Sequence, residues 1–466
     1  MKQRFFLLLT FLPLCHFLQA QSFKLPGDLD QQIDDFYREW RQEGYPGGAV
    51  AIVHEGELVF AKGYGLASLE HGVPFTPETV SDIGSVAKQL TCFGIVLLAQ
   101  QGKLGLDDDI RRYLHEAPDF GRPITIRRLM NHTSGLREIY AAEGIRGYRP
   151  GDGILQEDAL RLVLQSRELN FAPGEQYSYC NTGYMLLADI ISRVSGQEFE
   201  TWMQENIFRP LGMDHTFIMD KRGEVFPGCA DSYEKYGEDG FVKIYDNSTV
   251  QGAGGVYTTL SDLVSWFNHL RRPKIGGKEA QASMLQRGIL NNGDTLNYAL
   301  GLTVDSYRGQ KVIKHTGSSA GYRALLSYFP ELDLGIIVKT NCPSVDREGL
   351  ADLLLKDVLD EMEEEDSNSK EDSFPTPDPE ELQTYTGYFY SGELETVYEI
   401  KVEGSRLVGR HFRNGRFELI PTGKGAFKSE DGFSCTIHYI RDDRGAVTGL
   451  RMDSGGVQHL WLTKME

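Results

Sequence analysis

Ser85-Val86-Ala87-Lys88 sets a hydroxyl and an amine one turn apart at the head of an apolar stretch, Gln89 to Gln100. On a helix, residues three apart share a face, so the amine can reach the hydroxyl. A serine hydroxyl is a poor nucleophile until an adjacent base activates it. Burial against apolar neighbours pushes a lysine toward its neutral, proton-accepting form. Together these are the parts of an acyl-transferring hydrolase. The same spelling recurs at Ser232-Tyr233-Glu234-Lys235 and Ser367-Asn368-Ser369-Lys370, in a polar and an acidic stretch. Neither opens an apolar helix, so context selects Ser85.

Two further groupings carry chemistry. Tyr179-Cys180-Asn181 puts a phenol and a carboxamide two apart in a turn, where both can face one cavity. A tyrosine relays protons when nearby cations lower its pKa, and an asparagine can hold an amide by both edges. His315-Thr316-Gly317 follows a strand, and its glycine would let substrate approach the backbone. Tyr245-Asp246-Asn247 repeats the Tyr-x-Asn spelling in a polar stretch and reads as a surface turn. His132, also in a turn, reads as a structural hydrogen-bonding group. Gly317-Ser318-Ser319-Ala320-Gly321 matches the G-x-S-x-G elbow, which needs a helix after it. The residues between Gly321 and Pro330 read as strand instead. The histidines are dispersed, without HExxH or paired cysteine spacing, so neither metal nor cofactor is expected.

These groups need a scaffold. Leu29, Ile33, Phe36 and Trp40 recur at helical spacing between Asp28 and Gly44. Ala49 to Val53 and Leu58 to Ala61 flank a four-residue turn and predict a hairpin. Helices are predicted over 85–102, 158–166, 183–195, 199–207 and 261–270, the last opened by Thr259 and Asp262 as a capping pair. Strands are predicted at 312–314, 322–329 and 334–339. Strands at both ends with helices between imply an α+β domain: one antiparallel sheet made from the chain termini, flanked by helices and a helical subdomain. Residues 361–380 are acidic, then Pro-rich, and read as a linker. From 381 to 466, short alternating runs separated by Glu403-Gly404, Asn414-Gly415 and Gly455-Gly456 predict a small all-β barrel.

Taken in order, Ser85-x-x-Lys88, Tyr179-x-Asn181 and His315-Thr316-Gly317 resemble the serine β-lactamase-like family of class C β-lactamases, DD-peptidases, D-aminopeptidases and related esterases. Leu104 to Asp108, Ile124-Thr125-Ile126, Leu129 to Leu136, Pro210 to Met213, Gly254-Gly255 and Thr258-Thr259 look like further landmarks of that family, from about residue 25 to 360. The trailing module resembles the lipocalin-like accessory barrels of some D-aminopeptidase-like members. The resemblance implies Ser85 as the acylated nucleophile, Lys88 as its base and Tyr179 as the proton shuttle to the leaving group. It implies that Asn181, His315, Thr316, Gly317 and Ser318 bind substrate, with the N–H groups of Ser85 and Ser318 as oxyanion hole. One departure matters. β-Lactamases and most DD-peptidases carry lysine where this chain has His315. A mostly neutral histidine anchors a substrate carboxylate less well. Aminopeptidase-like or esterase-like activity is therefore expected ahead of β-lactam hydrolysis.

Composition bounds the rest. A net charge of −19 over 466 residues, with no basic cluster, excludes nucleic acid as a partner. Lys2 and Arg4 precede an apolar run to Leu14, and residues 1–20 read as a leader too short to span a membrane, directing export to a bacterial periplasm. Cys15 lies inside that leader, preceded by a leucine bulkier than lipoprotein signals usually carry. The five remaining cysteines form no disulfide framework and read mostly as buried hydrophobes. Cys92 and Cys180 are placed to line the pocket. The sequence thus reads as a leader, a serine hydrolase domain at 21–360, the linker and the barrel. It would act through an acyl-enzyme on amide or ester bonds, most plausibly in D-residue peptides. The alternative is a peptidoglycan- or penicillin-binding protein without turnover.

Overall fold

The computed structural model describes residues 23–149, 151–238, 240–344, 346–356, 374–375 and 377–466. The leader and most of the acidic linker, with Ser367 to Lys370, lie outside the described residues.

The main sheet is built from six antiparallel strands. β1 (Gly48–His54) and β2 (Glu57–Tyr64) form the expected hairpin. β3 (Thr303–Tyr307), β4 (Gln310–Ser319), β5 (Tyr322–Phe329) and β6 (Leu334–Thr340) form a meander whose last strand pairs antiparallel with β1. The order β3-β4-β5-β6-β1-β2 joins the two chain ends at the sheet centre. β1 is buried on both faces, and successive side chains alternate between two cores. Val50 and Ile52 pack with Ile33, Tyr37 and Trp40, whereas Ala49, Ala51 and Val53 face the larger core.

The first helix is shorter than its periodicity predicts. α1 (Leu29–Phe36) gives way to a 3₁₀ turn at Arg38–Arg41. A 3₁₀ turn eclipses residues three apart. It stacks Tyr37 on Trp40 at 4.5 Å, with both rings against the sheet.

α2 (Ala87–Gln100) is buried nearly all round, as its apolar sequence demands. It packs on α3 (Asn181–Ser195), which ends at Gly196 in a left-handed conformation. α4 (Leu260–Arg271) begins as expected, with the Thr259 side chain accepting from the Asp262 N–H at 3.1 Å. Between α2 and β3 lie the shorter helices of the helical subdomain.

The C-terminal module is a closed barrel of eight antiparallel strands. They are β7 (Gly387–Ser391), β8 (Thr396–Glu403), β9 (Arg406–His411), β10 (Gly415–Gly423), β11 (Ala426–Ser429), β12 (Cys435–Arg441), β13 (Val447–Ser454) and β14 (Val457–Lys464). β7 pairs with β14 and leaves no open edge. Phe389, Tyr398, Phe417, Phe427, Ile437 and Leu450 are among its buried interior residues. β11 and β13 are not predicted from sequence: Gly425, Lys428 and Gly449 blur their alternation. Among the described residues, no helix is long and apolar enough to cross a membrane.

Candidate functional site

Ser85 sits in a short 3₁₀ turn, Gly84–Val86, that feeds into α2. Lys88 lies one turn on, with its side chain buried, and its Nζ reaches the Ser85 Oγ at 3.0 Å. The same amine donates to Asn181 Oδ1 at 2.8 Å and to the Ala253 carbonyl at 2.7 Å. Burial pulls the Lys88 pKa down to about 7, against the opposing pull of Glu138. The amine is therefore deprotonated in a substantial fraction of molecules at neutral pH.

Tyr179 stands over this pair. Lys88 Nζ lies 4.9 Å from its ring centre, and the Ser85 hydroxyl adjoins its phenol. Burial raises the Tyr179 pKa above the ordinary tyrosine value. The expectation that a cation would lower it is thus reversed, because desolvation dominates. His132 fixes this segment: its carbonyl accepts the Ser178 N–H at 2.9 Å, and its Nδ1 accepts the Cys180 N–H at 3.0 Å. Its ring packs on Tyr179 at 4.2 Å between ring centres. The imidazole is buried and held neutral, in keeping with the structural reading of His132.

Asn181 opens α3, and both edges of its carboxamide are engaged within the protein. Oδ1 accepts from Lys88, and Nδ2 donates to Glu138 Oε1 at 2.8 Å. Asn181 thus orients the lysine from within the protein, and it also lines the cleft where substrate is expected. Glu138 has no motif to announce it. The available signal was its place three residues before Ala141, whose N–H it caps at 2.8 Å.

β4 closes the opposite side. His315 is buried behind the cleft wall, its Nε2 against the Tyr298 hydroxyl at 2.9 Å and Nδ1 against the Thr316 carbonyl at 2.6 Å. Burial and the Lys88 charge press its pKa to about 3, so the imidazole is neutral. Gly317 has a packing role as well. A Cβ there would lie 1.8 Å from the Ile83 carbonyl oxygen and 3.3 Å from the Ser85 nitrogen. A Cβ on Gly84, whose φ is +50°, would lie 2.5 Å from the Ser318 nitrogen. This backbone-to-backbone contact brings Ser85 and Ser318 to one cleft wall. Gly317→Ala is expected to cost about 3 kcal/mol by overpacking. Urea unfolding checks it, and an unchanged midpoint would mean that the strand stands farther from Ile83.

The cleft encloses about 580 Å³, and Ser85, Asn181, Tyr140, Tyr245, Asp246 and Ser318 are among its lining residues. Tyr245-Asp246 is thus a cleft wall as well as a surface turn. Asp246 accepts from Ser319 Oγ at 2.8 Å and from the Ser248 N–H at 2.9 Å. Cys92 and Cys180 lie outside that wall. Both are buried, which pushes their thiols up to about 12. Cys229 is exposed, unlike the other described cysteines. Ser232 instead supports the β4–β5 turn, where its Oγ accepts the Gly321 N–H at 2.7 Å. That turn leads from strand to strand, so Ser319 is no elbow.

Known proteins resemble this chain in sequence and, among solved structures, in fold. A D-aminopeptidase of Brucella anthropi is 34% identical over 281 residues, covering 60% of this chain and 52% of the relative. A D-aminopeptidase of Gluconobacter oxydans is 29% identical over 311 residues, covering 66% and 58%. The chain therefore spans little more than half the length of these curated relatives. The octameric penicillin-binding protein homologue from Pyrococcus abyssi superposes with a TM-score of 0.62 at 24% identity, over 93% of this chain and 99% of that one. The family model for Beta-lactamase matches residues 29–359, which include Ser85, Lys88, Tyr179, Asn181 and β4, and the chain belongs to the Beta-lactamase family.

Proposed function

We propose that the chain is a serine hydrolase that releases an N-terminal D-amino acid from small amides and peptides through a covalent acyl-enzyme on Ser85. The similarity to proteins named D-aminopeptidase supports this reading, as does the 3.0 Å contact between Lys88 and Ser85. Neutral Lys88 takes the Ser85 proton as Oγ attacks the substrate carbonyl. The oxyanion forms against the N–H groups of Ser85 and Ser318, a type of contact worth about 3 kcal/mol of barrier. Tyr179, a neutral phenol, passes its proton to the leaving amine and recovers one from Lys88. Water then attacks the ester carbon as neutral Lys88 takes its proton, the bond from that carbon to Ser85 Oγ breaks, and Oγ recovers the proton from Lys88 as the acid product leaves.

One observation carries the choice of substrate: the charge pattern around the cleft. His315 supplies no cation. Asp246 and Glu234 line the cleft, and the lining Arg323 donates to the carbonyls of Ala320 and Tyr322 at 2.9 and 2.7 Å. Such a wall favours the free ammonium of an N-terminal residue over a substrate carboxylate, and Asp246 beside Ser319 is its anchor. D-Alanyl p-nitroanilide, its N-acetyl derivative, p-nitrophenyl acetate and nitrocefin test this. Acetylation is expected to lower kcat/KM by roughly 10²-fold, the scale of losing one desolvated charge contact. Asp246→Asn is expected to raise KM for the free amine while leaving ester turnover unchanged. Fast nitrocefin turnover with little on the anilide would overturn the substrate assignment. A penicillin adduct on Ser85 that never turns over would favour a binding protein.

A further inference from the structure

The barrel meets the main domain at the segment that orients Lys88. The turn between β13 and β14, Gly455-Gly456, lies against Glu138 and Ala141. The Gly456 carbonyl accepts from the Glu138 N–H at 3.1 Å and from Asn170 Nδ2 at 2.9 Å. A Cβ on Gly456 would come within 2.4 Å of the Glu138 Cβ. Only a glycine fits there, although its φ is not in the left-handed region.

The neighbouring Arg137 locks this contact. Its guanidinium is buried, paired with Glu393 of the barrel and bonded to the Gln458 carbonyl and to Asn170 Oδ1. Asn170 Oδ1 also accepts the Gln458 N–H at 2.8 Å. A buried ion pair with its remaining donors satisfied tolerates little displacement. On its far side, the Arg137 carbonyl accepts from Thr182 Oγ1 at 2.7 Å, beside Asn181 in the first turn of α3.

From Glu138 the chain of contacts runs inward. One carboxylate oxygen holds Asn181 Nδ2, and Asn181 Oδ1 holds Lys88 Nζ at 2.8 Å. Three side chains therefore connect a barrel turn to the amine that faces Ser85. Glu138 is not among the residues lining the cleft, so it acts through Asn181.

We infer that the barrel is a working part of the active site: its Gly455-Gly456 turn seats Glu138, a positioning residue that aims Lys88 at Ser85 through Asn181. The inference rests on the proposed acyl-enzyme chemistry, and it gives the C-terminal module a role in rate rather than in substrate capture. Aiming errors matter at this scale, because a displacement near 1 Å in a reacting group costs about 10²-fold in rate.

The test follows the rate at which a fluorophosphonate labels Ser85 in the full chain, which needs no knowledge of the substrate. Gly456→Val is expected to slow labelling by roughly 10- to 100-fold, with near-UV circular dichroism retained at the assay temperature. Arg444→Ala, in an exposed barrel turn, is expected to label like wild type. Glu138→Gln gives a readout that a merely structural role would not move. The groups acting electrostatically on Lys88, or feeling its charge, are Glu138, Asp82, Cys92, Cys180, His132 and His315. Removing the Glu138 charge withdraws support for the ammonium, so the midpoint of the pH–labelling profile is expected to move to lower pH. Should Gly456→Val melt early, Gly456→Ala and Glu138→Gln decide the matter by the same readouts. Wild-type rates with an unmoved midpoint in the folded variants overturn the inference. Absence of any label on wild-type Ser85 would instead overturn the proposed chemistry, so the two failures are distinct.

Discussion

Ser85→Ala is expected to remove fluorophosphonate labelling altogether and to lower turnover of D-alanyl p-nitroanilide by roughly 10⁴-fold or more, the scale seen when a hydrolase loses its nucleophile. The substitution removes one oxygen from a half-buried position, and little else depends on it. Its Oγ receives Lys88 Nζ at 3.0 Å, but that amine keeps Asn181 Oδ1 and the Ala253 carbonyl. The fold and the cleft should therefore survive, with a melting temperature close to wild type. That separation gives the result its meaning, since lost activity in an intact protein points to the missing hydroxyl. Intact-mass spectrometry after brief exposure to the label supplies the measurement. A labelled Ser85→Ala protein, with the adduct on another side chain, would move the chemistry elsewhere. Ser318 and Ser319, which share the cleft wall, are the first places to look.

The scaffold was legible where periodicity is strong and one force dominates. β1 reads directly from Ala49 to Val53, because a strand buried on both faces is a continuous apolar run. α2 reads equally well, since its burial follows from its apolar residues. The helix at Asp28 to Gly44 was over-extended because periodicity records which residues face the core, not how tightly the chain winds. The stacking of Tyr37 on Trp40 selects the 3₁₀ turn, and no local signal carries that contact. In the barrel, β11 and β13 were lost to interior glycines and charged residues. Closure gives those strands partners that local propensity cannot report.

At the candidate site, sequence spacing brings out the proposed reacting groups better than the side chains that hold them. Ser85 and Lys88 share a helical turn, so their contact follows from spacing alone. Glu138 escaped notice because it meets Asn181 across 43 residues of chain. Asp246 was set aside as a surface turn because exposure and cleft membership coincide there. The close packing of the Gly317 backbone against Ile83 has no signal in its own segment. Each of these depends on contacts between segments distant in sequence. Desolvation, which governs Tyr179, His315 and Lys88 alike, is likewise invisible before the chain is folded.

Lys88→Met is expected to slow labelling of Ser85 by roughly 10³-fold, within the range that a lost base contributes. The wild-type pH profile identifies that base. With a pKa of about 7, Lys88 is increasingly protonated below that pH. The labelling rate should then rise about tenfold per pH unit on the acid side and level off above pH 8. Tyr179 is pushed above its ordinary range and stays protonated throughout, so it gives no rise in this window. A rise centred above pH 9 would hand the resting base to Tyr179. Stability supplies an independent check. Lys88 has a folded-state pKa below its ordinary value of 10.5, so between about pH 7 and 10.5 the unfolded chain holds a proton that the native one lacks. Native stability then increases with pH across that window and is unaffected by this group below it. Lys339 is also buried, with a pKa near 7, and adds the same slope to both proteins. The difference in unfolding free energy between wild type and Lys88→Met therefore isolates the site lysine. It should grow in favour of wild type from pH 7 to 10, and a flat difference would mean that Lys88 is already charged and paired in the native state.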